Sequence, residues 1–229
     1  IWTAYGNSIF ITVVGTLLAL LLTSATAYPL TKRTIPLRRV FTLIVLFTMI
    51  FSGGLIPVYL VIKQLHLINT LWAVIVLHLI SAFNVIVMMS FIRTIPEEVE
   101  ESAMIDGANP IRIFFTMILP LCKPVLATLA LWIAVGLWNN FYHSFIFLND
   151  RSLMTLPVLL RQIIVGQKDT EELGQLDETS SESVIAATIV VSLIPILMVY
   201  PFLQRHFMKG AMQVRSKHEG NIHKQEVYP

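Results

Sequence analysis

Residues 100–120 read EESAMIDGANPIRIFFTMILP. The segment holds charges, a glycine and two prolines, yet it lies between two runs apolar enough to sit in lipid. A chain that keeps such a segment between two spans must fold it outside the bilayer and then return to the bilayer.

The apolar runs set the class. The 229 residues are 55% hydrophobic and 13% charged, against about 25% charged in an ordinary globular chain. Asp, Glu, Lys and Arg are absent from 1–31, 40–62, 64–92, 124–149 and 183–204. A bilayer core of about 30 Å takes about 20 residues of helix, and each window is long enough. Five spans are expected, at about 8–28, 41–62, 70–92, 124–148 and 184–204. The windows mix Gly, Pro, Ser and Thr with Leu, Ile and Val and show no period-2 alternation, which argues for helices over barrel strands. The expected fold class is all-α, a polytopic helical membrane protein. The first residues, Ile1, Trp2 and Thr3, include neither a starting Met nor a basic region. The chain is expected to begin inside a longer protein, with a further span upstream.

The basic residues give an expected orientation. Twelve of the sixteen Lys and Arg fall in 29–40, 93–123 and 205–229, and four fall at Lys63, Arg151, Arg161 and Lys168. The first group of segments is expected to face the cytoplasm. The division is then a transmembrane domain at 1–204, with a cytoplasmic loop at 94–120 and an outer loop at 149–183, followed by a cytoplasmic tail at 205–229. The outer loop carries Asp150, Asp169, Glu171, Glu172, Asp177, Glu178 and Glu182. Its Leu153, Leu156, Leu159, Leu160, Ile163 and Ile164 recur at helical spacing, which predicts a short amphipathic helix at the outer surface. The basic residues read as topology signals, with no nucleic-acid patch. Cys122 stands alone, and no His pair has metal-site spacing, so no metal centre is expected.

The opening segment reads as a bent helix pair. Thr94 is a candidate cap and Pro96 lies in a first turn, followed by a helix over 96–106 with glutamates at its positive end. Gly107 allows a break. Asn109 and Pro110 have the form of an N-cap and first helical residue, opening a second helix over 110–118 that ends before Pro120. Such an elbow presents acidic and apolar side chains at the membrane surface and suits docking on a soluble protein. An amphipathic linker resting on head groups is the plain alternative, although Glu97, Glu98, Glu100, Glu101 and Asp106 would then meet an anionic leaflet.

The stretch from Glu101 to Pro120 resembles the EAA loop of permease subunits of binding-protein-dependent ATP-binding-cassette importers. Glu101, Ala103, Gly107, Leu119 and Pro120 match that pattern, and Asp106, Gly107 and Ala108 form its Asp-Gly-Ala element. Ser102 replaces the first Ala and Met117 replaces Ile. Similarity to the maltose-type, carbohydrate-uptake branch runs from about Asn7 to Met212 and favours importers of oligosaccharides derived from polysaccharides. The tail beyond Met212 departs from the family pattern.

The resemblance implies a type I importer permease fold with six spans, in the bacterial cytoplasmic (inner) membrane. It implies a second permease subunit, normally a different chain, together with two ATPase subunits and an extracytoplasmic solute-binding protein. ATP and Mg would be bound by the ATPase, with no cofactor and no catalytic residue in this chain, which has no phosphate-binding GxxxxGK[ST] loop. Glu101, Ser102, Ala103, Asp106, Gly107, Ala108, Leu119 and Pro120 would form the ATPase-coupling element. Ile113, Phe114, Met117 and Ile118 would anchor its second helix.

A neutral sugar is best met by aromatic faces and uncharged hydrogen-bonding groups. Trp138, Asn139, Asn140 and Tyr142, beside Phe141 and His143, form such a cluster in the fourth window, with Tyr59, Asn84 and Ser81 as weaker candidates. Helix packing and an interfacial aromatic belt account for the same residues. Gly53, Gly54 and Pro57 are expected to kink the second span. The rival function is a stand-alone secondary transporter or channel. Ion coupling normally places an Asp, Glu or Lys inside a span, and none stands in an apolar core here, which leaves His78 and His143 as the exceptions. No Ser-His, paired-Asp or HExxH arrangement supports an intramembrane enzyme. A membrane scaffold that docks through the elbow would show no substrate-dependent stimulation of an ATPase.

Overall fold

The computed structural model of the protein describes residues 1–172 and the single positions Ala186 and Val190. The expected fifth span at 184–204, apart from those two positions, the end of the outer loop at 173–183 and the tail at 205–229 lie outside the described residues. All regular elements among the described residues are helical, in keeping with the all-α class.

Helix α1 (Trp2–Thr31) is the hub. Its 30 residues correspond to roughly 45 Å at 1.5 Å per residue, and among the described residues it alone is long and apolar enough to cross a membrane as a straight helix. Ala4, Ser8, Ile11, Gly15 and Ala19 are buried on one face, the spacing of neighbours along a helix. That face meets α4 (Leu71–Val76), α5 (Ala82–Ile92) and, most extensively, α9 (Lys123–Trp138). Small side chains allow the close approach. A Cβ placed on Gly15 would stand 2.7 Å from Leu137 Cδ1 and 3.8 Å from Ile75 Cγ1.

Three expected spans prove to be interrupted. In the 41–62 window, α2 (Arg38–Ile50) and α3 (Leu55–Gln64) meet at 114°. Gly54 supplies the turn with φ +81, a region that L side chains rarely adopt, and the Ser52 hydroxyl accepts its N–H. Gly53 has no left-handed backbone. Pro57 is the third residue of α3, where a missing N–H leaves no helical bond unmade. It therefore belongs to the start of a helix, and the bend of the second window lies just before it, at Gly54.

The 70–92 window divides into α4 and α5, although it contains neither Gly nor Pro. His78 Nδ1 lies 2.9 Å from the Val74 carbonyl, the acceptor that its own backbone N–H would use in a continuing helix, and that N–H bonds to Ile75 O instead. The 124–148 window divides into α9 and α10 (Tyr142–Phe147). Asn139 ends α9 with both its backbone N–H and its side-chain amide donating to Val135 O. Side-chain competition for the Val74 carbonyl explains the first break, and α9 ends where the Asn140 N–H turns to Leu137 O.

The second limb of the 100–120 segment is longer than expected. α7 (Pro110–Ile113) runs through a π turn (Phe114–Ile118) into α8 (Leu119–Leu121), so the helix passes Pro120. In the π turn the Leu119 N–H bonds to Phe114 O. This wider turn shifts the backbone bonding by one residue and accommodates a proline that would end a regular helix. The whole limb, Pro110–Leu121, meets α9 at 78°. The first limb is α6 (Glu98–Ile105). After α10, a single 3-10 turn (Arg151–Leu153) leads to α11 (Leu156–Glu172), at the place of the expected amphipathic helix.

No residue of α2 is buried, and Phe41, Leu43, Ile44, Phe47 and Ile50 are exposed on it. A helix this bare of partners belongs against lipid or another apolar chain.

The Gly15 contact supports a test. Gly15→Leu should overpack the α1–α9 seam and lower stability by about 1–3 kcal/mol. Gly15→Ala should have a smaller effect, because the Leu137 methyl group can turn aside. Thermal unfolding of the detergent-solubilised protein would rank the two.

Candidate functional site

The elbow begins where α5 ends. Thr94 donates its hydroxyl to Phe91 O at 2.7 Å, so it closes the preceding helix and does not cap α6, as the sequence had suggested. The α6 terminus then has the bonds of a Schellman motif. The Gly107 N–H bonds to Met104 O and the Ala108 N–H to Ala103 O, each at 3.0 Å, with Gly107 at φ +79. Two residues later the Asn109 side chain accepts the Arg112 N–H at 2.7 Å, with Pro110 as the first helical residue. The turn thus has local partners for the amides it frees, and its shape follows from residues 103–112 alone.

Burial sorts the two faces of the elbow. Ala103, Ile113, Phe114 and Ile118 are buried in the main core, while Met117 is exposed and does not join these anchors. Glu101, Ser102, Asp106, Gly107 and Pro120 lie at the surface, with Ala108 and Leu119 half-buried. Ser102 turns its hydroxyl back to Glu98 O at 2.8 Å. Three apolar side chains unforeseen from the sequence also stand out: Ile105 at 86% exposure, Ile111 at 70% and Met104 at 52%. An apolar tip beside Glu101 and Asp106 is the chemistry of a protein-docking surface.

Glu100, next to the expected coupling glutamate, faces the other way. Its carboxylate accepts the Tyr28 hydroxyl at 3.1 Å and pairs with the Lys32 ammonium. Tyr28 also packs against Phe114, with ring centroids 5.3 Å apart. Both limbs of the elbow are therefore tied to the end of α1. No spacing rule distinguishes Glu100 from its neighbours. Its inward orientation depends on Lys32, 68 residues away in sequence.

A second polar group forms where the α4–α5 and α9–α10 breaks meet. The Asn140 amide nitrogen lies 2.8 Å from His78 Nε2 and 3.1 Å from His143 Nδ1. The His143 N–H donates to Asn140 Oδ1, which orients the amide and leaves its nitrogen as donor to both rings. His143 lies parallel to Phe147 at 6.3 Å, and Tyr59 stacks on the same ring at 5.9 Å. Asn140 and Tyr59, both expected from the sequence, thus converge with the histidines. Trp138 is buried edge-on to Tyr5. Asn139 caps its own helix and Tyr142 is exposed. Asn84 and Ser81 stand at α5 and make none of these contacts. His78 was not foreseen as a member, since a lone His in an apolar run has no local signature.

Residues 12–212 match the family model described as binding-protein-dependent transport system inner membrane component. The chain is 45% identical over 210 residues to protein LplC of Bacillus subtilis (strain 168), covering 90% of this chain and 71% of that one. It is 44% identical over 209 residues to the polygalacturonan/rhamnogalacturonan transport system permease protein YtcP of the same organism, covering 90% and 73%. A solved bacterial ABC transporter involved in the import of the acidic polysaccharide alginate contains a chain that superposes with TM-score 0.82 at 36% identity, covering 90% of this chain and 75% of that one.

The left-handed backbone at Gly107 can be tested without any partner. No atom lies within 4 Å of where a Cβ would stand, so Gly107→Ala adds strain and no clash. The expected cost is about 1–2 kcal/mol, with a smaller effect for Gly107→Asn. Hydrogen exchange across 98–113 should quicken about tenfold in the Ala variant, in line with 1.4 kcal/mol per decade.

Proposed function

From the premise that the chain belongs to the family of binding-protein-dependent transport system inner membrane components, we propose that it is the permease subunit of an ATP-driven importer of oligosaccharides derived from polysaccharides. The family works as an assembly of permease, ATPase and solute-binding protein. This chain would supply half of the translocation pathway, with a different permease chain supplying the other half, and two ATPase subunits and one external binding protein completing the importer. ATP and Mg would sit in the ATPase, and the elbow and tail would face the cytoplasm.

The observation that carries the coupling role is the shape of the elbow. Its turn is closed by its own backbone and the Asn109 side chain, so little freedom remains to be lost when it docks. Ile105, Met104 and Ile111 would enter an apolar groove of the ATPase, while Glu101 and Asp106 would meet polar or basic groups at its rim. The buried anchors Ile113, Phe114 and Ile118 would carry the ATPase displacement into the spans as a rigid-body motion.

For the pathway, the Asn140, His78, His143 and Tyr59 group is the favoured candidate. Irregular backbone at membrane depth is tolerated where it is enclosed by protein or lines a cavity, and two such breaks meet here. The neutral amide and aromatic faces suit sugar hydroxyls and ring faces. The substrate class draws on the polysaccharides named for similar proteins, polygalacturonan/rhamnogalacturonan for one and alginate for another. A stand-alone secondary transporter is disfavoured by family membership.

The test is co-purification of the full-length protein from its native membrane, followed by ATPase assay with the binding protein and digests of polygalacturonan, rhamnogalacturonan and alginate. Wild type should bring down a second permease and an ATPase whose activity rises with one of the digests. Ile105→Asp, at a site 86% exposed, should keep the second permease and lose most of the ATPase. Recovery of no ATPase with wild type under gentle detergent conditions would remove the importer reading.

A further inference from the structure

Among the described residues, Glu100 is the charged side chain drawn into the core, at 7% exposure. A carboxylate in such a place requires matched partners. Tyr28 donates to one oxygen and Lys32 pairs with the other. The Lys32 ammonium also lies 4.7 Å over the Tyr28 ring. Tyr28 belongs to the last turn of α1 and Lys32 is its C-cap residue, where a cation is favoured by the carbonyl end of the helix. Three groups from two elements therefore satisfy one another.

The other end of α1 is also tied down. The Asn7 amide donates to Ser152 O at 2.9 Å and to Met154 O at 3.0 Å, and the Ser8 hydroxyl accepts the Leu156 N–H at 2.9 Å. One unbroken helix thus joins the elbow to the start of α11. Pulling Glu100 away from Lys32 would leave a carboxylate without its cation in a poorly solvated place, so the pair resists separation far more than a surface ion pair would.

We propose that Glu100, Lys32 and Tyr28 form a positioning latch that makes α6 and α1 move as one body, so that displacement of the elbow reaches the segment at 152–156. The proposal rests on the importer reading and adds a route by which ATPase closure is felt at the far end of the permease. Glu101, exposed beside it, would contact the ATPase. Glu100 would act through α1.

The latch predicts uncoupling, with assembly preserved. In the complete complex reconstituted in vesicles, with the same three polysaccharide digests as substrate, two quantities are read: sugar imported per ATP hydrolysed, and recovery of the ATPase with the permease. Glu100→Gln and Lys32→Met should each lower the import ratio by about fivefold or more, within the usual range of coupling energies, while the ATPase still co-purifies. Combining Lys32→Glu with Glu100→Lys should restore most of the ratio, a rescue that loss of packing alone would not give. An unchanged import ratio in Glu100→Gln overturns the proposal. So does loss of assembly in Glu100→Gln that the exchanged pair fails to restore. A wild-type complex that hydrolyses ATP without importing any digest overturns the importer reading and the latch together, and is seen before any variant is made.

Discussion

A helix broken among apolar surroundings must still provide partners for the N–H and C=O groups that the break releases. Most of what is distinctive in this chain follows from that requirement. The α2–α3 break uses Gly54 and the Ser52 hydroxyl. His78 uses its side chain to occupy a carbonyl that the helix would otherwise bond. The elbow uses a left-handed glycine and an asparagine cap. The α2–α3 break turns its helix by 114°.

The breaks acquire meaning through α1, the unbroken helix they surround. Its small-residue face lets α4, α5 and α9 approach closely. Polar side chains are then placed at its two ends, with Asn7 and Ser8 at one and Tyr28 with Lys32 at the other. Apolar packing in the middle fixes distance and tilt, while hydrogen bonds at the ends fix which neighbour is held. Such a helix can carry a displacement, because a packed body moves as a unit and has few intermediate arrangements.

Much of the elbow was legible in the sequence. Gly107, Asn109 and Pro110 act within a few residues, so their meaning is local and a short window contains it. The apolar windows were legible for the same reason, since burial in lipid is a property of composition. Their interruptions at 77–81 and 139–141 were not. Neither stretch contains Gly or Pro, and His78 and Asn140 explain each other only once the two segments lie side by side. The continuation of the helix through Pro120 was also hidden, because a π turn depends on how the following helix packs.

By itself the sequence determined the all-α membrane class, the location of the elbow and the residues that turn it, because each depends on composition or on neighbours a few positions apart. The tertiary structure alone decided which side chains of that elbow face outward. Ile105 and Ile111 are exposed while Glu100 is drawn in, the reverse of what polarity suggests, because a cation and a hydroxyl from the end of α1 wait inside. Charge sets a side chain's preference for water, but the partners that can override it come from 68 and 72 residues away, and only folding brings them to the same place.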